Sequence, residues 1–235
     1  MLLTSPLPRW NEIFTMKLKK ETPYWKGENL LWTSRTAISI QLIAEGYKEL
    51  KKFERVKLWL PSFFCGETEK YISGAPVDII HYPITKDLNP DWTLIKEKLK
   101  NEELDIFVFT HYFGAFHDPN RAKTFCKTNN AILIEDCAHS LYCYQKIGTA
   151  GDFVLFSPHK LLPVPDGAII IQNNDKDDLC KAIFAYVSDA LELERMAKGN
   201  SQSFISWRIK KGLQKIIKRN KPYLFRTEPH YFNGD

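Results

Sequence analysis

The sequence predicts an α/β fold: three layers, α/β/α, with a mainly parallel central sheet. Three observations predict it. Short apolar runs rich in β-branched and aromatic residues recur between residues 57 and 171. Segments of helical periodicity fall between several of these runs. The resulting β-α-β alternation demands crossover connections, which pair strands in parallel and cover both faces of the sheet with helices.

The elements follow in chain order. Thr36 to Phe53 carries Ile40, Ile43, Ala44 and Tyr47 at helical spacing. Lys57–Leu60 is a short apolar strand ending at Pro61, and Val77–Tyr82 alternates as a strand does. Pro90, Asp91 and Trp92 open a helix that runs through Leu94, Ile95 and Leu99. Ile106–Thr110 and Ala131–Ile134 read as buried strands on either side of a helix from Pro119 to Thr128. Phe153–Phe156 and Ala168–Ile171 are the last two strands. There is no internal repeat and no low-complexity run.

A chain of 235 residues has room for one large domain, or a domain with an appendage. The expected division is an N-terminal segment at 1–30, a large domain at 31–175 and a helical, basic C-terminal segment at 176–235. The 44% hydrophobic and 13% aromatic content fit a globular chain. No apolar stretch reaches the ~18 residues of a membrane-spanning helix, and Met1–Trp10 lacks a signal-peptide run. The expectation is a cytoplasmic protein that does not engage a membrane. Cys65, Cys126, Cys137, Cys143 and Cys180 form no C-x-x-C pair, which argues against a zinc site or redox dithiol and for buried free thiols.

The net charge of +5 is unevenly spread. Arg195 to Arg226 holds ten Lys/Arg and no acid, whereas residues 1–194 hold 23 Lys/Arg against 26 Asp/Glu. Within the basic stretch, Ile205, Ile209, Leu213, Ile216 and Ile217 share one helical face. A helix packed on the domain with a solvated basic face is the favoured reading, over a nucleotide, partner or membrane contact. No nucleic-acid-binding motif accompanies it.

Three places fall where a parallel sheet gathers its ligands, at the carboxyl ends of strands. Thr33-Ser34-Arg35-Thr36-Ala37 opens a helix; its hydroxyls, free N–H groups and Arg35 suit an anion, although an ordinary N-cap looks the same. Ile134 to Ser140 sets Glu135, Asp136 and His139 directly after a buried strand. A carboxylate there can keep a ring nitrogen protonated, or Asp136 can simply cap a helix. Phe156 to Ala168 sets Lys160 after an apolar strand among three prolines, with Ser157 and His159 beside it. Desolvation there makes an amine nucleophilic; the alternative is a surface lysine in a loop. Taken in order, these are the parts a pyridoxal 5'-phosphate (PLP) enzyme needs: a phosphate cup, an acid for the pyridine nitrogen, and a Schiff-base lysine 24 residues on.

The pieces TSRTAI, LPSFFCGET, THYFG with Asp118, IEDCAHS, and GDFVLFSPHK with DGAII occur in this order between Leu31 and Gln172. With them the chain resembles the DegT/DnrJ/EryC1/StrS sugar aminotransferases, which are fold type I PLP enzymes. The resemblance implies the large domain of a PLP-dependent transferase. It implies that Lys160 carries the cofactor, Asp136 pairs with the pyridine nitrogen and His139 lies beside the ring. Ser157 and the segment Ser34, Arg35, Thr36 would hold the phosphate. The family places an aromatic ring over the cofactor; Cys65 aligns with that position, and Phe63 or Phe64 is the aromatic available. The turn His111-Tyr112-Phe113-Gly114 would line the same cleft, or be a plain strand-end turn.

The implied activity is transfer of an amino group from an amino acid, glutamate or glutamine, to a nucleotide-linked keto sugar, in a homodimer. Two departures keep other readings open. Ser157 and Lys160 are three residues apart, two fewer than in the family, and Ser-x-His-Lys is similar to cysteine-desulfurase-like enzymes. That spelling favours a PLP-dependent lyase. Family members also continue into a smaller C-terminal domain, whereas this chain stops at Asp235. A fragment, a shortened homologue or a non-catalytic binding protein is the corresponding expectation.

Overall fold

The structure is a computed structural model describing residues 25, 28–144, 146–162, 164, 166–174 and 177–198, with 195–198 described by backbone alone. The helix expected at 204–219, the tail beyond 198 and most of the 1–30 segment lie outside the described residues.

Seven strands form one sheet: β1 (Leu30–Thr33), β2 (Val56–Pro61), β3 (Val77–Tyr82), β4 (Ile106–Thr110), β5 (Ile132–Cys137), β6 (Phe153–Phe156) and β7 (Ala168–Gln172). Their order across the sheet is β1-β7-β6-β5-β4-β2-β3. The pairs from β6 through to β3 are parallel, while β7 runs antiparallel to both neighbours. The predicted mainly parallel sheet is therefore present, with a single reversed strand.

Period-two alternation gives the central strands two buried faces. Leu58, Leu60, Val108, Ile134 and Leu155 face one side. There they meet Ile40, Ile43 and Ala44 of α1 (Thr36–Lys51), Ile72 of α2 (Gly66–Ile72), and Cys180, Ile183 and Val187 of α6 (Asp178–Lys198). Trp59, Phe107, Phe109 and Leu133 face the other side. They meet Ile95 of α3 (Trp92–Lys98) and Ala122 and Cys126 of α4 (Asn120–Thr128). On that second face Tyr82 stacks on Phe107 at 4.4 Å and donates its hydroxyl to the Val108 carbonyl at 2.7 Å, so its polar end is satisfied. Each such apolar side chain contributes about 1.5–3 kcal/mol by burial. Among the described residues no helix is long and apolar enough to cross a membrane.

Sequence and structure differ at four places. β1 was not predicted; it is a four-residue edge strand whose register is set by pairing with β7. α2 was not predicted either, because only Ile72 of its seven residues is buried and no apolar stripe marks it. β5 runs three residues past Ile134, so Glu135 and Asp136 lie in the strand rather than in a loop after it. The thiols are not all buried: Cys143 is exposed and Cys65 half-buried. The helix ends otherwise match local chemistry. Lys52 closes α1 in the left-handed conformation at φ 57°, and the Asp91 carboxylate caps α3 by accepting from Thr93 and Leu94.

α6 begins just past the boundary expected at residue 175, and its apolar face completes the core over α1. Ile183 is fully buried there. Ile183→Ala is expected to cost about 2–4 kcal/mol, read as a lower urea midpoint at unchanged m-value. A helix merely appended to the domain would leave that midpoint unmoved.

Candidate active site

β5 is central, and its last residues carry the charged cluster. Successive side chains point to opposite faces, so Glu135 and Asp136 part company. Asp136 faces the α1 side in register with Thr110 of β4, and Cys137 is in register with Phe156 of β6. Asp136 is buried; its Oδ1 accepts from the Ala138 N–H at 3.0 Å, so it caps a turn rather than a helix. Its Oδ2 carries no hydrogen bond among the described residues.

His139 stands beyond this turn. Its Nδ1 accepts from the Phe113 N–H at 3.3 Å, which puts the ring hydrogen on Nε2. The Phe113 ring lies nearly parallel to the imidazole, 5.9 Å between centroids and 14° apart. Burial and then the nearby Lys160 ammonium push the His139 pKa below its ordinary value, against an opposing pull from Asp136. Lys160 follows β6 and Asp136 ends the adjacent β5, so both lie at the end of the sheet where His139 stands.

The turn carrying Phe113 is strained. Phe113 sits at φ 56°, where a bulky residue is rarely found, and is exposed. Gly114 follows at φ 75°, where an added Cβ would lie 2.8 Å from the His139 carbonyl oxygen. Close approach and positive φ both demand glycine there. Tyr112 is anchored beneath, its hydroxyl donating to the Phe63 carbonyl at 2.6 Å. Burial and the Asp136 charge push that phenol far up, so it stays a donor.

Lys160 is half-buried in the one-turn helix α5 (Pro158–Leu161), directly after β6. Ser157 before it is fully buried. A hydrogen-bonded chain joins this segment to the start of α1. The Gly167 N–H donates to the Ser34 carbonyl at 2.9 Å. The Gly167 carbonyl accepts from His159 Nδ1 at 3.0 Å, and the same Nδ1 lies 3.1 Å from Ser157 Oγ. A carbonyl only accepts, so Nδ1 carries a hydrogen and Ser157 Oγ receives it as well. The hydroxyl hydrogen of Ser157 is then left for another acceptor. Burial lowers the His159 pKa.

At the start of α1 no side chain caps the helix and no acid occupies its first turn. The first backbone bond back into the helix comes from Ser39, and the N–H groups of Thr36, Ala37 and Ile38 have no partner among the described residues. Such a terminus suits an anion. Ser34 and Arg35 are exposed and Thr36 is buried. The structure therefore draws Asp136, His139, Lys160, Ser157 and residues 34–36 to the same end of the sheet. Phe64 packs against the core on the α1 side, the face that Asp136 also occupies. Phe63 lies against Tyr112 at 5.7 Å.

Glu135, on the opposite face, is the residue whose importance sequence reasoning missed. It is fully buried and takes four donors: His111 Nε2 at 2.6 Å, and the N–H groups of Gly148, Ala150 and Gly151 at 2.7, 2.9 and 2.9 Å. His111 Nδ1 accepts from the His117 N–H at 3.2 Å, so Nε2 bears the hydrogen given to Glu135. Burial alone would raise the Glu135 pKa, but these donors outweigh it and the pKa is lowered. His111, Glu135 and Cys137 offer ligand atoms within 4.8 Å of one another. Both nitrogens and both carboxylate oxygens are already hydrogen-bonded, and burial holds the thiol protonated, so the trio reads as a structural clamp. Thr110 was missed too. Its Oγ1 is the one buried side-chain polar atom without a partner among the described residues, a state that costs about 1–3 kcal/mol.

A profile of the DegT/DnrJ/EryC1/StrS aminotransferase family matches residues 74–198. The chain belongs to this family. Solved structures share its fold. One is DesI, crystallised in the presence of its TDP-sugar product: TM-score 0.57, 17% identity, covering 80% of this chain and 48% of that one. Helicobacter pylori PseC, an aminotransferase of pseudoaminic acid biosynthesis, gives TM-score 0.54 and 20% identity over 80% of this chain and 53% of its own. Bacillus subtilis NtdA with bound cofactor PMP gives 0.54 and 17% over 66% and 35%. The chain spans about half the length of the first two. Aminotransferases of this family are PLP-dependent.

The lowered Glu135 pKa has a sign that can be followed in stability. Its contribution is complete above the unfolded carboxylate value of 4.5 and is lost as pH falls through the depressed folded value. Glu135→Gln turns an amide donor toward N–H donors. It is expected to cost about 3 kcal/mol at pH 7 and to flatten the acid limb of a stability-against-pH curve. A limb of unchanged slope would remove Glu135 from this role.

Proposed function

We propose that this chain binds PLP through Lys160 and serves an aminotransferase that moves an amino group from an amino acid, glutamate, onto a nucleotide-linked keto sugar. The observation that carries this reading is geometric: Asp136 near the end of β5 and Lys160 directly after the neighbouring β6 lie at the same end of the sheet as an uncapped helix start. Family membership and the sugar-linked neighbours support the substrate class.

The residues present fit the cofactor. Thr36, Ala37 and Ile38 offer three unpaired N–H groups and Ser157 an uncommitted hydroxyl hydrogen, all suited to a phosphate. Arg35 adds positive charge beside them. Asp136 keeps Oδ2 for a protonated ring nitrogen. The buried, partnerless Thr110 hydroxyl marks the same end of the sheet as one built to be occupied.

Bound PLP supplies an electron sink that stabilises negative charge at the substrate carbon. The protein's own groups do the rest. Lys160 would hold the cofactor, and its Nζ, when free, would be the acid/base group that moves a proton in the 1,3-shift of transamination. Asp136 would accept a hydrogen bond from the ring nitrogen and so hold it protonated. His139 stays neutral near pH 7 through burial and the Lys160 charge, and presents Nε2–H to the cleft. Phe113 shields its face. A second copy of the chain is the proposed partner. The exposed Phe113, Phe116 and Tyr144, in the segments after β4 and β5, support a surface that a partner covers.

Full-length chain mixed with PLP is expected to show a visible absorbance band that borohydride fixes covalently. Lys160→Ala abolishes the band, and Asp136→Ala lowers turnover at least 100-fold. Glutamate should then yield 2-oxoglutarate. A band that survives Lys160→Ala, or sulfide released from cysteine, would overturn the reading.

A further inference from the structure

Thr110 sits at the C-terminal end of β4, one strand away from Asp136 and in register with it. In a parallel pair, partners in register project from the same face, roughly 4.8 Å apart. The Thr110 hydroxyl nevertheless makes no bond to that carboxylate or to any other group among the described residues, and it is shut off from solvent. Among the described residues no other buried side-chain polar atom is left so: the buried hydroxyls of Thr33, Ser39 and Ser157, and of Tyr82 on the opposite face, all have partners. A buried hydroxyl without a partner is retained at a cost to stability, and an apolar residue of the same shape would avoid that cost. Valine has the same branched shape and suits a strand.

We propose that Thr110 is a cofactor-contacting residue, its hydroxyl hydrogen-bonding a polar atom of the pyridoxal ring on the Asp136 side. The inference rests on the PLP reading of the site. It assigns to β4 a share of a cofactor site otherwise carried by β5, α5 and the start of α1. Lys160 and Ser157 follow β6, on the other flank of β5, so Thr110 contacts the ring from the side they do not occupy. It also gives the site a trade: the apo protein carries an unsatisfied group that binding satisfies.

The trade predicts effects of opposite sign, which a purely structural threonine would not produce. In Thr110→Val, melting of the full-length apo protein should shift up by about 2–4 °C. PLP affinity, from titration of the visible band, should fall about tenfold while the band still forms through Lys160. Thr110→Ser restores the hydroxyl and should return affinity to within about twofold of the parent, although the lost methyl lowers the melting temperature. Thr110→Val that melts lower, or that binds PLP as tightly as the parent, overturns the role of Thr110 and leaves the PLP reading standing. A parent chain that forms no band overturns both.

Discussion

A carboxylate sealed under a sheet has to be matched donor for donor, and Glu135 meets that demand with four N–H groups from two separate segments. The rest of the candidate site hangs from this arrangement. His111 ties the end of β4 to the end of β5. Gly148, Ala150 and Gly151 tie in the segment that leads to β6. The fit leaves no room for a larger residue at 151, where an added Cβ would lie 2.7 Å from the Glu135 Cβ and 2.6 Å from the Phe153 carbonyl. Because strand geometry sends alternate residues to opposite faces, fixing Glu135 on one side fixes the direction of Asp136 on the other.

Much of this was legible in the sequence. Apolar period and turn residues located six of the seven strands and three helices, because each buries a face. The order of a helix start, an acid and a lysine at one end of the sheet could also be read, since residue type marks each of them. What could not be read depends on partners remote in sequence. β1 is a strand because β7 lies beside it. α2 buries one side chain and leaves no pattern. Glu135 looked like half of a charged pair with Asp136; only the separation of the two faces reveals that they do unrelated work. Thr110 looked like the last residue of an apolar strand, since a missing hydrogen bond has no signature in a sequence.

The two faces divide the work of binding and holding. On the α1 side the polar groups are deliberately incomplete: an uncapped helix, an uncommitted carboxylate oxygen, a hydroxyl hydrogen to spare. On the clamp side every donor has its acceptor. Such asymmetry is what a rigid mount for a polar ligand requires, since groups already satisfied by the protein have nothing to offer a ligand, while unsatisfied ones lower stability.

The reversed direction of β7 has a mechanical meaning for Lys160. β6 leaves the sheet toward the cleft and β7 enters from it, with Phe156 in register with Ile169. The excursion that carries the lysine is thus rooted at both feet in adjacent strands. On the proposed role of Lys160, an amine displaced from the cofactor would move only by the length of its own side chain and stay at high effective concentration beside the point it left. Recapture would then be a local event, set by side-chain rotation and not by reordering a free loop.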